Sequence, residues 1–221
     1  DKLYIEKMEL AGPGFINFRL SDAILQSVVA DVRESQEDYG KGEVPEGERY
    51  INLEYVSANP TGPLHVGHGR WAVLGDAMSR VMRHAGYDVY EEFYINDHGT
   101  QMDVFGNSVA VRYMQRLGYD YEMPEQCYGG MYVGEIAQEI IDKEGDKYVN
   151  LSDEERMEAF REIAYQEMLD LQKNVLGRLG TTFDRWFSER SLYVEDENGE
   201  SAVSMALKAM DDKGYVYEED G

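Results

Sequence analysis

Residues 57–68 read S-A-N-P-T-G-P-L-H-V-G-H, with histidines three positions apart. Helical side chains at that spacing share one face, so His65 and His68 can reach the same ligand. An apolar run (Tyr50, Ile51, Leu53, Tyr55, Val56) precedes the stretch, and a helical pattern follows it. The stretch therefore reads as a Pro/Gly-rich loop from strand to helix, with both histidines in the helix's first turn. Backbone N–H groups there lack partners within the helix, and the dipole is positive. Such a place suits phosphate. Gly67, between the histidines, leaves bare backbone against which a flat base can pack.

The elements that must hold this loop alternate. Residues 11–20 read as a turn and a short strand. Ser21-Asp22 can cap a helix through about Arg33, with Ile24, Leu25, Val28, Val29 and Val32 at helical spacing. Residues 34–49 are polar and Gly-rich, a linker. A strand over 50–56 and the loop follow. A helix from about 65 to 85 places Trp71, Leu74, Met78, Val81 and Met82 on one face and ends at Gly86. The next strand, 88–95, leads to Asn96-Asp97-His98-Gly99. A helix over 101–117 repeats Met102, Phe105, Val109 and Tyr113. This order implies parallel strands with right-handed crossovers, an α/β, Rossmann-like parallel sheet with flanking helices.

Residues 118–152 are acidic and less regular, and read as an insertion with one short helix around 132–143. Ser152 and Glu155 form a capping-box pattern that starts a long helix. Its stripe is Met157, Phe160, Ile163, Ala164, Met168, Leu171, Val175 and Leu179, and Gly180 stops it. A strand near 182–187, a helix near 199–213 and a strand at 215–218 complete the pattern.

Composition bounds the function. The chain has 221 residues, 43% hydrophobic, enough for one core with an appendage. No apolar run is long enough to span a bilayer, and the first residues lack a signal-peptide pattern. Cys127 is the single cysteine, which excludes an internal disulfide and a thiolate metal cage. A cytoplasmic setting is the default expectation. The net charge is −23, and residues 118–221 hold 26 acidic against 10 basic groups. Such a surface repels nucleic acid over a Debye length of ~8 Å. It equally fits a solvated acidic face that aids solubility. The seventeen tyrosines read as core or surface filler.

The run L-E-Y-V-S-A-N-P-T-G-P-L-H-V-G-H resembles the first signature of class I aminoacyl-tRNA synthetases, in its arginyl-tRNA synthetase version. The likeness continues through G-R-W-A-V-L-G-D-A-M-S-R-V-M-R-H-A-G-Y-D-V and E-F-Y-I-N-D-H-G-T-Q-M. It extends to R-L-G-T-T-F-D-R-W-F-S-E-R-S-L-Y and K-G-Y-V-Y-E. A-G-P-G-F-I-N-F is similar to the end of that family's appended N-terminal domain. On this resemblance residues 1–20 end the appended domain and 21–49 are a helix and linker. Residues 50–117 form the first half of the catalytic core, 118–152 an insertion, and 153–221 a truncated continuation.

The resemblance implies an arginine–tRNA ligase. Arginine's carboxylate attacks the α-phosphate of ATP, and arginyl-adenylate then esterifies tRNA-Arg. His65 and His68 are the implied catalytic donors. Pro63, Leu64, His65, Gly67, His68 and Gly69 are the implied ATP cradle. Glu54, Ser57, Asn59 and His68 are the implied arginine contacts, with Mg2+ arriving on ATP, no resident metal, and a monomeric state. Gly62 stands where some members carry a lysine. No K-M-S-K-like second signature, no D-x-A-Y-H-like arginine-binding stretch and no helical anticodon-binding domain follows. The expectation is a fragment that is inactive alone.

Alternatives stand beside this reading. A smaller H-x-G-H adenylyltransferase or a non-catalytic nucleotide-binding module would keep the histidines. Asp97 or His98 could complete a zinc site with them. The histidines could be purely structural. Asn96, Asp97 and Gln101 could be turn and cap residues, and Glu54 could bond only within its strand.

Overall fold

The I-E-K-M-E-L run at residues 5–10 mixes apolar and charged residues, and it pairs with the strand that follows. The computed structural model describes residues 4–217. Strands β1 (Ile5–Ala11) and β2 (Phe15–Leu20) form an antiparallel hairpin. Gly12 and Gly14 turn it at φ +53° and +97°, values that glycine adopts without strain. The expected short strand is thus the second arm of a hairpin whose first arm the sequence reading missed.

Helix α1 (Asp22–Ser35) starts one residue after Ser21, whose side chain makes no cap hydrogen bond. None of its residues is buried, so its apolar stripe is solvent-facing. The expected linker is tied down. The Gly42 N–H donates to the His84 carbonyl at 3.0 Å, and the Asp88 N–H to the Arg49 carbonyl at 2.8 Å. A Cβ at Gly42 would lie 2.3 Å from the Ala85 carbonyl oxygen. These residues belong to one compact unit, Asp1–Tyr50 with Arg80–Asp88. The second unit is Ile51–Ser79 with Val89–Gly221.

The second unit carries most of a three-stranded parallel sheet in the order β3-β4-β5. Its strands are β3 (Tyr50–Glu54), β4 (Asp88–Ile95) and β5 (Arg185–Ser188). Strand β4 has the expected bounds, and its alternating pattern buries Val89, Glu91, Phe93 and Ile95. Strand β5 sets Trp186 beside Phe93 in parallel register. Their rings stack at 4.2 Å, with Phe183 edge-on to both.

Five helices complete the described chain: α2 (Val66–His84), α3 (Thr100–Arg116), α4 (Met131–Glu144), α5 (Asp153–Leu179) and α6 (Ala202–Asp211). Helices α3, α4 and α5 share one core, in which Phe105, Val109, Tyr113, Val133 and Phe160 are solvent-free. The capping box at Ser152 and the left-handed Gly180 bound α5 as expected. Arg156 lies in the same body at 3% exposure. Its guanidinium donates to the Tyr148, Val149 and Leu151 carbonyls and to Asp153, so it clamps the turn before α5. Among the described residues no helix is long and apolar enough to cross a membrane.

Four expectations need correction. Strand β3 stops at Glu54 rather than residue 56, because Val56 and Ser57 turn to positive φ. The buried face of α2 is Ala72, Gly75 and Ser79, whereas Trp71, Leu74, Met78 and Val81 are exposed. A Cβ at Gly75 would sit 2.2 Å from the Tyr55 ring, so only a small-residue face allows this approach. In the second half of α5 the buried residues are Met168, Leu169, Gln172 and Leu176, while Leu171, Val175 and Leu179 face out. Residues 215–217 form no strand, and residue 218 of that expected strand lies outside the described residues.

Candidate active site at the β3–α2 loop

The loop begins under strain. Val56 and Ser57 take φ +68° and +42°, a region that costs a non-glycine residue about 1–3 kcal/mol. A β-branched valine there is rarer still. Packing holds it in place, since Val56 is buried with Ala58, Ala72, Phe93 and Ile95. The turn aims Ser57 inward. Its hydroxyl donates to Glu54 Oε1 at 2.7 Å and accepts from the Tyr94 N–H at 3.1 Å.

Helix α5 supplies the floor. Gln172 is fully buried, and its Nε2 donates to the Asn59 and Gly62 carbonyls, each at 3.1 Å. From α4, the Tyr132 hydroxyl donates to the Thr61 carbonyl at 2.8 Å. Asn59 Nδ2 donates to Gln101 Oε1 at 2.9 Å, at the start of α3. Three helices thus fix one loop.

The histidines stack with centroids 3.8 Å apart. His68 Nδ1 accepts the His65 N–H, and His65 Nδ1 accepts the Gly67 N–H, both at 3.1 Å. An Nδ1 that accepts carries no proton, so a neutral ring carries it on Nε2. Both imidazoles are therefore arranged as Nε2–H donors. Gly67 has a packing reason as well, because a Cβ there would lie 2.8 Å from the His65 ring.

Burial, and then the charge of His65, lower the His68 pKa below the ordinary 6.5. A histidine with a depressed folded-state pKa stabilises the fold above its unfolded value, and that stability is lost as pH falls through the folded value. We expect the His68 ring resonances to titrate with a midpoint under 6.5 by NMR. A midpoint at or above 6.5 would contradict the neutral-donor arrangement.

A cavity of about 380 Å³ opens beside the rings. Its walls are Ser57, Ala58, Asn59, Thr61, Gly62, Pro63, His65, His68, Tyr128 and Tyr132. No carboxylate is among them. The cavity thus brings together Ser57, Asn59, Pro63, His65 and His68 of the expected site. Glu54 lines a different hollow, with Trp71, Leu74 and Met78, which meets the first at Ser57. Leu64 packs against the sheet core, and Gly67 and Gly69 are not among the walls.

Asp97 is also placed away from the histidine cavity. It is 3% exposed and accepts from Ser188 Oγ at 2.6 Å and the Arg190 N–H at 3.0 Å. Burial alone would raise its pKa, but the bonds from Ser188, Arg190 and Tyr165 outweigh burial and hold it below 3.8. Tyr165 is pushed up to about 12 by burial and then by the Asp97 charge. His98 stacks on Tyr193. Among the described residues no three histidine, cysteine or acidic side chains gather as a metal site.

The family model described as tRNA synthetases class I (R), catalytic domain, matches residues 30–221. The chain belongs to this family. Within these class I tRNA synthetases, it is 44% identical over 220 residues to arginine–tRNA ligase of Bacillus velezensis. It is 43% identical to that of Bacillus subtilis, and both alignments cover 100% of the chain. The chain spans 38% of the length of these two curated relatives. A solved Campylobacter jejuni structure, described provisionally as an arginyl-tRNA synthetase, is 35% identical with a TM-score of 0.76. The match covers 91% of this chain and 42% of that one. Thermus thermophilus arginyl-tRNA synthetase, 23% identical with a TM-score of 0.57, shares the fold over 99% of this chain and 34% of its own.

For this class I synthetase domain, sequence reasoning missed Tyr128, Tyr132 and Gln172. The signal for the tyrosines was the Y-G-G-M-Y run at 128–132, a glycine pair before a helix start with tyrosine on both sides. Gln172 carried no signal beyond a polar residue inside an apolar stripe.

Proposed function

We propose that the chain is the nucleotide-binding part of an arginine–tRNA ligase. One observation carries the reading. Backbone N–H groups occupy both Nδ1 atoms, leaving two Nε2–H donors beside a cavity free of carboxylates. As arginine's carboxylate attacks the α-phosphorus of ATP and the bond to the departing pyrophosphate breaks, negative charge gathers on the phosphate oxygens. Preorganised donors stabilise that charge without reorganising. His65 and His68 are the donors in this reading, and Pro63, Leu64, Gly67 and Gly69 shape the ATP cradle. A magnesium ion enters on the triphosphate, since the walls offer no acid to hold one.

Arginine is assigned to Ser57, Asn59, His68 and Glu54. A carboxylate matches a guanidinium's planar fork, and the Ser57 hydroxyl joins the Glu54 hollow to the histidine cavity. The arginyl group then passes from the adenylate to a terminal ribose hydroxyl at the 3′ end of tRNA-Arg, and AMP leaves. The protein works as a cytoplasmic monomer.

The test uses a full-length ligase in which residues 1–221 replace the matching segment of the Bacillus subtilis relative. Calorimetry follows Mg-ATP and arginine separately. Asn59→Ala should weaken arginine roughly tenfold or more, the worth of a hydrogen bond to a charged group, and leave ATP unchanged. An equal loss for both ligands would assign Asn59 to the loop's structure alone.

A further inference from the structure

The residues assigned to arginine can be sorted by what each still has to donate or accept. Ser57 is committed on both sides, since its hydroxyl donates to Glu54 Oε1 and accepts from the Tyr94 N–H. Glu54 opens onto the neighbouring hollow. His68 offers an Nε2–H donor, because its Nδ1 takes the His65 N–H. Asn59 differs from all of these. Its Nδ2 donates to Gln101 Oε1 at 2.9 Å, and its Oδ1 takes no hydrogen bond from the described residues. Within this set, Asn59 Oδ1 is therefore the uncommitted side-chain acceptor in the wall of the histidine cavity. Arginine's α-ammonium is a donor group only, and it needs such an acceptor once water is displaced.

A primary amide can present either end, and its partner decides which. Asn59 lines the cavity and Gln101 does not, so the amide turns its nitrogen to α3 and leaves its oxygen to the cavity. We infer that Gln101 is a positioning residue, fixing the Asn59 amide so that Oδ1 accepts from the α-ammonium of arginine. The flipped amide would set an N–H donor against the ammonium, donor facing donor. Gln101 is itself held in place. Its neighbour Met102 is 2% exposed, in the core of the helical body. Gly99 starts α3 at φ +89° and ψ −177°, a region that is essentially glycine-only. The turn before it is anchored by Asp97, which accepts from Ser188 Oγ and the Arg190 N–H. The Asn59 main chain is fixed independently, by Gln172 at its carbonyl. The acceptor is thus oriented before arginine arrives, and binding loses little freedom in ordering it. This inference rests on the reading of Asn59 as an arginine contact.

The experiment uses the full-length ligase that carries residues 1–221, with calorimetry of arginine, desamino-arginine and Mg-ATP. Desamino-arginine has hydrogen in place of the α-ammonium and is otherwise the same ligand. The parent should prefer arginine by roughly tenfold or more, the worth of a hydrogen bond to a charged group. Gln101→Met keeps the side chain's length and removes its acceptor. It should weaken arginine roughly tenfold and leave desamino-arginine and Mg-ATP unchanged, so that the preference collapses. Gln101→Glu still accepts from Asn59 Nδ2, so it should retain the preference. Gln101 is exposed, so neither substitution opens the core, and circular dichroism melts confirm that each variant is folded. Equal weakening of arginine and desamino-arginine by Gln101→Met would assign the residue to the loop's structure alone and overturn the inference. Unchanged arginine affinity in Gln101→Met overturns it as well. So does a loss in Gln101→Glu as large as that in Gln101→Met, or a parent that binds both ligands alike. An Asn59→Ala variant that binds arginine as tightly as the parent is a separate failure, that of Asn59 as an arginine contact.

Discussion

His68→Ala lowers the rate of arginine-dependent pyrophosphate exchange into ATP by roughly 10²–10³-fold, measured in the full-length chimeric ligase. Removing one donor to a transition-state charge costs about 2.7–4 kcal/mol at comparable sites. The geometry makes His68 the more sensitive of the pair. Its Nδ1 accepts the His65 N–H, so its loss removes an Nε2–H donor and frees the backbone that orients the second ring. ATP affinity should change much less than the rate, because the donors match a charge that peaks in the transition state. The comparison is His65→Ala, which removes the stacked partner and the acceptor for the Gly67 N–H. Unchanged turnover with only weaker ATP binding would remove His68 from the chemistry.

Gln172→Leu should destabilise the chain by about 2–4 kcal/mol and weaken ATP binding together. One buried amide nitrogen serves two carbonyls of the loop, Asn59 and Gly62. Leaving each without its donor costs roughly 1–3 kcal/mol where water cannot replace it. Leucine keeps most of the volume, so packing loss is small and the missing hydrogen bonds dominate. Gln172→Glu should be worse than leucine, because an ionised carboxylate would face the same two carbonyl oxygens. Urea melts of the 221-residue chain give the stability, and calorimetry with Mg-ATP gives the binding. A leucine variant with an unchanged midpoint and unchanged ATP affinity would show that the loop stands without this floor.

Local signals made much of the framework readable. Strand β4 and helix α3 follow period-2 and period-3.6 apolar patterns that tertiary contacts do not override, and Met102, Phe105, Val109 and Tyr113 are all buried. The capping box and the glycine stop of α5 are chemical signals confined to a few residues. Where the reading failed, large apolar residues were taken as the inward face. In α2 the inward face is small, because the Tyr55 ring presses against Gly75, a distance no periodicity encodes. Val56 reads as strand by its branched side chain, yet core packing forces it into a left-handed turn.

At the site, the motif located the histidines, Ser57 and Asn59. The tautomer-fixing bonds are local but invisible to a motif, and the Gln172 floor and Tyr132 come from chain segments 70 or more residues away. Glu54 shows the converse limit. It adjoins the loop in sequence and bonds Ser57, yet it opens onto the neighbouring hollow.

Strands β4 and β5 are bonded neighbours, although residues 96–184 lie between them. Closing an unstructured segment of that length would cost about 4 kcal/mol of chain entropy, before any added constant. Helices α3, α4 and α5 pack with each other within that span and so shorten the chain left to close. The start of α3 reaches Asn59 through Gln101, and the second half of α5 reaches the same residue through Gln172. The helical body is thus a template that draws the ends of the intervening chain together. Its contacts are more local than the β4–β5 pairing, and local contacts cost less loop entropy. The entropy cost favours packing of the helical body before the β4–β5 pairing, and earlier hydrogen-exchange protection of α3–α5 than of β5 during refolding checks it. The histidine pair stands on a platform whose supports, Tyr132 and Gln172, both come from that intervening segment.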